Sequence, residues 1–402
     1  MNDTAAIATG NSKIFHAIKM ISFLRSAKEA TVADISQNTE IPVATVYRTV
    51  HVLRENNFLL QKEKLLSSNG RQPTLYSLNS TYAFGLCIIL EKTLISVCII
   101  NLEGRIIQQS QLDFKSNWKK DEVLEEIHRA IVVLQNEETD MKRCRIIHIA
   151  VEADVDIANG RILCFSGAAC FDNFDIVKYF QERYGIRARL DKLLYVEAFA
   201  SICNYCRYEF KNYVYLHIGV GFGAAIVIDQ KIYTGANGKA GELVRLKTPD
   251  GRSWEEVYNT SQLYQHFIEA ASKPSSRLNA IFMETLAPSR SGTVPALINV
   301  LDRALYENCD EAIQMVSAAA DGWVDVIEHL QMFFDPEVVV IGGDISGDVP
   351  NVFEIIRSKL QERGDRGVVL PAQYQTSLLD AVAEGLMDEL YHSIYDDIIA
   401  SF

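Results

Sequence analysis

The sequence lacks long apolar runs and any cysteine framework, and taken whole it is short of positive charge. Its longest apolar segments, Phe84 to Leu90 and Ile95 to Ile100 (broken only by Ser96), fall far short of the roughly 18 residues that cross a bilayer. No membrane span or membrane partner is expected. The start, Met1-Asn2-Asp3-Thr4, has neither the basic residues nor the apolar stretch of a secretory signal, which predicts a cytoplasmic chain. Eight cysteines (87, 98, 144, 164, 170, 203, 206 and 309) lie mostly inside apolar segments, the pattern of reduced core thiols, and no disulfides are expected. The net charge of −13 argues against a nucleic-acid binder, because a phosphate backbone rewards Lys and Arg.

What is present reads as globular protein: 402 residues, 48% apolar and 23% charged, enough for two or three domains with real cores. The charge is unevenly spread. Residues 1–82 hold nine Lys and Arg against six Asp and Glu, a net of +3, and leave −16 on the remainder. A small basic head on a large acidic body fits a DNA-binding domain joined to a domain with another task.

The head carries its own signals. Ile14, Phe15, Ile18, Met20, Ile21 and Leu24 form a helical stripe within Lys13–Ser26. Thr31, with Asp34 three residues on, caps a short second helix. Ile41-Pro42 opens a third, with Pro suited to its first position, running to about Asn57. Val46, Val50 and Leu53 give it a buried face; Ala44, Thr45, Tyr47, Arg48 and His51 lie opposite, suited to base edges, a thymine methyl or phosphates. Two strands, Phe58–Glu63 and Thr74–Leu78, flank a tip containing Asn69-Gly70 and read as a wing, with Arg71 at its returning edge where it could enter a minor groove. The whole is a winged helix-turn-helix expected to hold double-stranded operator DNA. The turn before the third helix usually has Gly where this chain has Glu40, and the usual Ser or Thr cap position holds Pro42.

The body shows a pattern given twice. Three strands (Phe84–Leu90, Ile95–Asn101, Arg105–Gln109) precede helix 121–135, strand 146–151, helix 174–184, strand 188–190 and helix 196–208. Three more strands (213–219, 224–229, 231–234) precede helical sequence, strand 338–342, helix 352–363, strand 367–370 and a last helix near 377–391. This is the layout of an α/β actin-like ATPase fold, two similar lobes, expected at 83–210 (completed by the C-terminal helix) and 211–402.

Four segments carry a specific resemblance: Gly70-Arg71-Gln72-Pro73-Thr74-Leu75-Tyr76-Ser77-Leu78-Asn79, Gly219-Val220-Gly221-Phe222-Gly223, Thr234 to Glu242, and Asp335-Pro336-Glu337 to Gly343. In this order they resemble the ROK family of repressors and sugar kinases along nearly the whole chain, and within it the winged-helix repressors. The departures bear on chemistry. Family kinases end their first strand in Asp-Ile-Gly-Gly-Thr, which holds ATP phosphates; here Cys87-Ile88-Ile89-Leu90-Glu91 follows Gly85-Leu86. Where those kinases place the carboxylate that deprotonates the sugar, this chain has Leu193, which cannot accept a proton; Asp191 lies two residues early, on an expected strand-to-helix turn.

The resemblance implies two ligand-binding glutamates, Glu242 and Glu255, with Arg245 in the place of the family's His and Gly167 near that of its hydroxyl-binding Asn. Carboxylates suit sugar hydroxyls, and Arg245 could hold a phosphate or simply neutralise Glu242. The family's zinc cluster is missing from Thr248–Ser253, and Cys203-x-x-Cys206 has no second pair at metal spacing, so no metal, cofactor or catalytic residue is expected. The implied function is a transcriptional repressor of carbohydrate-related genes, with an inactive sugar-kinase-like body that dimerises (or forms a dimer of dimers) and senses a sugar or sugar phosphate in its cleft. The alternatives are a regulator answering to a protein partner and an active ATP-dependent sugar kinase.

Overall fold

The computed structural model describes residues 12–62, 73–92, 94–114, 118–165, 169–202, 210–236, 238–274, 276–286, 294–345, 349–365, 367–372 and 378–402. The chain divides into two compact units, Met1–Lys192 with Val382–Phe402, and Leu193–Ala381. The division after Lys192 falls inside the stretch expected to belong to the first lobe, and the chain's last residues join the first unit.

The first unit begins with the head. Helix α1 (Ser12–Ala27) buries Ile14, Ala17, Met20, Ile21 and Leu24. Phe15, expected on that stripe, is 46% exposed, because it sits about 100° of helical rotation away from Ile14 and off the row that Ala17 completes. Strand β1 (Glu29–Thr31) leads directly into α2 (Val32–Thr39). The capping box is formed: the Asp34 N–H donates to Thr31 Oγ1 at 3.2 Å, and the Thr31 N–H donates to Asp34 Oδ2 at 3.0 Å. The turn that follows places Glu40 in the left-handed region at φ 56, which costs a non-glycine residue about 1 kcal/mol. Ser36 Oγ braces this turn by donating to the Ile41 carbonyl at 2.7 Å.

Helix α3 (Val43–Glu55) buries Val46, Thr49, Val50 and Leu53. Pro42 stands just outside it rather than at its first position, its carbonyl accepting the Thr45 and Val46 N–H groups at 2.8 and 3.0 Å. Strands β2 (Leu59–Lys62) and β3 (Leu75–Leu78) pair antiparallel, and β1 adds on the far side of β3 to give the order β1-β3-β2. That third strand was not expected from the sequence; three residues are too few to display alternation. The wing tip, residues 63–72, lies outside the described residues.

The rest of this unit comprises β4 (Phe84–Leu90), β5 (Leu94–Asn101), β6 (Ile106–Asp113), α4 (Lys120–Val133), β7 (Cys144–Val151), the hairpin β8 (Asp154–Asp156) and β9 (Arg161–Cys164), α5 (Ile176–Tyr184), β10 (Ala188–Lys192) and, from Val382 on, the C-terminal helix Leu378–Ala400. The main sheet has the order β10-β7-β4-β5-β6. Every residue of β4 is buried, since the sheet is covered on both faces. Phe84, Leu86, Ile88 and Leu90 enter a core with Ile127, Ile149 and Phe180. The other face meets the C-terminal helix, where a Cβ on Gly85 would lie 2.2 Å from Leu386 Cδ2, so that the Leu386 side chain would have to shift.

The second unit comprises α6 (Leu193–Ile202), β11 (Tyr213–Ile218), β12 (Phe222–Ile228), β13 (Lys231–Ile232), α7 (Trp254–Tyr258), α8 (Thr260–Ala271), α9 (Arg277–Leu286), α10 (Val294–Tyr306), α11 (Asp310–Phe334), β14 (Val338–Gly342), α12 (Pro350–Glu362) and β15 (Val369–Pro371). Its sheet order, β13-β12-β11-β14-β15, repeats that of the first unit: the first strand is central, antiparallel to the second and parallel to the fourth. Alternate residues feed two cores, Val214, Leu216 and Ile341 with Phe267 and Trp323 on one face, Tyr213, Tyr215 and Val340 with Tyr195 on the other.

Candidate nucleic-acid interface and effector site

In the head, burying Val46, Val50 and Leu53 turns the opposite face of α3 to solvent by the 3.6-residue period. Ala44, Arg48 and His51 are exposed, Thr45 is half-buried, and Tyr47 is 59% exposed. Two of the polar groups lie along the helix itself. Arg48 Nε donates to the Ala44 carbonyl at 3.2 Å, with Nη2 3.5 Å from Thr45 Oγ1, and His51 Nδ1 lies 3.1 Å from Glu55 Oε2. Exposed Val43 and Arg54 extend the same face at either end; the sequence reading stopped short of them although the helical period reaches both. Arg71 lies outside the described residues.

In the second unit, Glu242 follows a glycine that has no substitute. Gly241 has φ +79, and a Cβ there would lie 1.9 Å from the Ala224 carbonyl oxygen. The close approach lets the Ala224 N–H donate to the Gly241 carbonyl at 3.1 Å, which fixes the start of the segment against β12. A single helical turn, Leu243–Arg245, follows; Glu242 is half-buried and Arg245 exposed. The Trp254 N–H donates to the Leu246 carbonyl at 2.9 Å, tying α7 to that turn. The cap of α7 uses Ser253 and Glu256, whose carboxylate accepts the Ser253 N–H at 2.6 Å, so Glu255, half-buried beside it, takes no part in the cap. All three expected effector residues thus sit on two short elements joined by a backbone hydrogen bond. Gly167, Cys203 and Cys206 lie outside the described residues, and those described contain no cluster of metal-ligating side chains.

Where family kinases would hold ATP phosphates after their first strand, β4 continues as buried apolar residues through Leu90. The turn beyond it is closed by the Glu91 N–H donating to the Leu94 carbonyl at 2.9 Å. Leu193 is buried at the first position of α6. Asp191 is not on a turn: β10 runs through Lys192, and the Asp191 carboxylate accepts from His148 Nε2 at 2.8 Å and from Arg189. Burial alone would raise its pKa; the hydrogen bonds and charges of His148 and Arg189 outweigh this and hold it below the usual Asp value. Arg189 also donates to Glu389 of the C-terminal helix. This carboxylate is engaged in holding two strands and a helix together.

A winged head followed by two copies of one five-stranded sheet is the architecture of a helix-turn-helix protein with an actin-like body. Residues 86–248 match the ROK family and residues 14–63 the IclR helix-turn-helix domain. The chain is 22% identical over 342 residues to the xylose repressor of Bacillus spizizenii, covering 82% of each chain. Among solved structures it is similar to a ROK family transcriptional regulator described as a homolog of the E. coli MLC protein, with a TM-score of 0.67 and 17% identity over 97% of this chain and 99% of that one. It is also similar to a ROK family glucokinase from Streptomyces griseus in complex with glucose and AMPPNP, with a TM-score of 0.62 and 16% identity over 76% of this chain and all of that one.

Proposed function

We propose that this chain is a DNA-binding transcriptional repressor of carbohydrate-related genes, acting in the cytoplasm as a homodimer or dimer of dimers. The observation that carries the reading is the exposed face of α3, standing on a winged head that leads into a ROK body. Ala44, Thr45, Tyr47, Arg48 and His51 read the operator, and Arg71 of the wing holds a phosphate or a minor groove. A palindromic site with two half-sites calls for two heads, hence the dimer.

Glu242, Arg245 and Glu255 bind the effector, a sugar or sugar derivative whose hydroxyls donate to the carboxylates and whose anionic group, where present, meets Arg245. The body does not phosphorylate it, because Leu193 stands where a proton acceptor is needed and Asp191 is committed to His148 and Arg189.

The test is a titration of the full-length protein on labelled DNA from upstream of its own and neighbouring genes, at two salt concentrations with excess nonspecific competitor. Competitor-resistant binding that a sugar releases is the expected result. Binding no tighter than to nonspecific DNA, or sugar-dependent ATP turnover, overturns the reading.

A further inference from the structure

Cys87 and Cys98 face each other across β4 and β5 as direct partners in register. Both are fully buried. Among the described residues no other two cysteines stand opposite one another: Cys144 meets Phe84, and Cys164 meets Asp154. Residues directly opposite in an antiparallel pair have Cα atoms about 4.5–5.5 Å apart, inside the range of about 4.4–6.8 Å that a disulfide spans. The backbone already sets the two Cα atoms where a disulfide needs them.

The pair belongs to a row that crosses four strands on one face of the sheet. Cys98 is beside Cys87, Cys87 beside His148, and His148 beside Arg189. This is the face opposite Leu86, Ile88 and Val97, which enter the core with Ile127, so the row lies on the side of the C-terminal helix. Leu386 of that helix stands at Gly85, two residues from Cys87, and Glu389 accepts from Arg189 at the end of the row. His148 carries the unmet group. Its Nε2 is 2.8 Å from the Asp191 carboxylate, and its Nδ1, in a side chain 1% exposed, has no hydrogen-bond partner among the described residues. With Nε2 donating to Asp191, the neutral ring keeps Nδ1 as a proton acceptor on the strand next to Cys87.

With the helix in place the pair is inert. Burial above all, and then the adjacent Cys98, hold the Cys87 thiol well above its ordinary range, with Arg189 opposing them. Cysteine reacts as the thiolate, so a thiol held in this way does not react until the burial is relieved. Lifting the helix relieves it and opens the sulfurs to small solutes.

We propose that Cys87 and Cys98 are an oxidation site guarded by the C-terminal helix: when the helix lifts, a small two-electron oxidant of the peroxide class joins them as a disulfide between β4 and β5. The Cys87 sulfur bonds one peroxide oxygen as the O–O bond breaks, and its proton leaves with the other oxygen as water. The Cys98 sulfur then displaces the oxygen from Cys87; the S–O bond breaks as the S–S bond forms, and the second thiol proton leaves in a second water. Two thiols lose two electrons, and one peroxide becomes two waters.

The experiment exposes the full-length protein to hydrogen peroxide, blocks the remaining thiols with an alkylating reagent and maps the cysteines by mass spectrometry without reduction. Wild type is compared with Cys98→Ser, Leu386→Ala and Glu389→Gln. The expected wild-type product is a linked pair of peptides carrying Cys87 and Cys98, lighter than the two separate peptides by two hydrogens, and absent from Cys98→Ser. At least one of Leu386→Ala and Glu389→Gln, which loosen the helix, is expected to speed its formation roughly threefold or more. Both thiols still free once exposed Cys164 has been oxidised, Cys87 oxidised without the link, or Cys87 linked to a different cysteine overturns the site. A link whose rate neither variant changes overturns the guard. Should both variants fail to fold, low urea concentrations acting on wild type take their place, and formation that urea does not speed overturns the guard.

Discussion

Arg25, in the first helix of the head, lies over the ring of Tyr391, in the C-terminal helix, with the guanidinium carbon 4.5 Å from the ring centroid. The ring is buried and its hydroxyl donates to the Leu102 carbonyl at 2.5 Å, while burial pushes the phenol up to about 12 against the opposing effect of Arg25. Two further contacts fasten the same region. Tyr82 Oη and Arg145 Nη2 both donate to Asp397 Oδ2, at 3.0 and 2.6 Å, and Tyr82 packs its ring on Phe58, 4.4 Å between centroids, just beyond α3. The winged head is therefore fastened to the last helix of its own unit.

Arg25→Ala removes the cation above the ring and is expected to destabilise the head by about 0.5–1 kcal/mol. Urea melts followed by proteolysis of the head check this. A melt unchanged from wild type, with the head no more readily cleaved, sinks the idea that this contact holds it.

Glu40→Gly is expected to stabilise the head. The left-handed turn costs Glu about 1 kcal/mol, and the greater freedom of an unfolded glycine takes back part of the gain, leaving a few tenths of a kcal/mol. A higher melting temperature with unchanged operator affinity is the expected pair of results; a lower one contradicts the account of the turn.

Asp191 ties acid stability to one cluster. Its folded pKa is depressed, so its stabilising effect is fully present above the ordinary Asp value of about 3.9 and is lost as pH falls through the lower folded value. Asp191→Ala leaves His148 and Arg189 without their shared acceptor and is expected to cost about 3–5 kcal/mol at neutral pH. Denaturant titrations from pH 6 to pH 3 provide the check: wild type loses stability toward the acid end, and the difference between wild type and Asp191→Ala narrows there. A difference that stays constant over that range excludes this cluster as a source of acid sensitivity.

Arg48→Ala is expected to weaken operator binding by about 1–3 kcal/mol if the guanidinium reads a guanine, and to lower the salt slope by about one if it holds a phosphate. Gel-shift titrations at several salt concentrations separate the two. Unchanged affinity and slope would remove Arg48 from the interface. Because Arg48 starts out bonded to Ala44 and near Thr45, it must leave these contacts to reach DNA.

Much of this structure could be read from the chain. The Thr31 cap with Asp34, the buried row Val46, Val50 and Leu53, and the wholly apolar β4 and β14 each follow from a local rule of spacing or burial. Short or long-range features could not be read. Strand β1 is three residues long and exists because β3 offers an edge. The His148–Asp191 pair joins residues on neighbouring parallel strands whose register, His148 beside Arg189, nothing local specifies. The C-terminal helix continues to Ala400, past the expected end near Tyr391, because Asp397 in its final turns faces Arg145 and Tyr82 instead of marking an exposed terminus. On the candidate interface, exposure of Arg48 was legible from periodicity, and its lying back along the helix was not.

Val382–Phe402 complete a unit whose other part ends at Lys192. During synthesis the face of that sheet bearing Gly85 waits for Leu386 until the entire second unit has been made. The first unit can therefore finish only after Leu193–Ala381 have been made. Loss of Val382–Phe402 would thus leave the first unit without the helix that covers this face of its sheet.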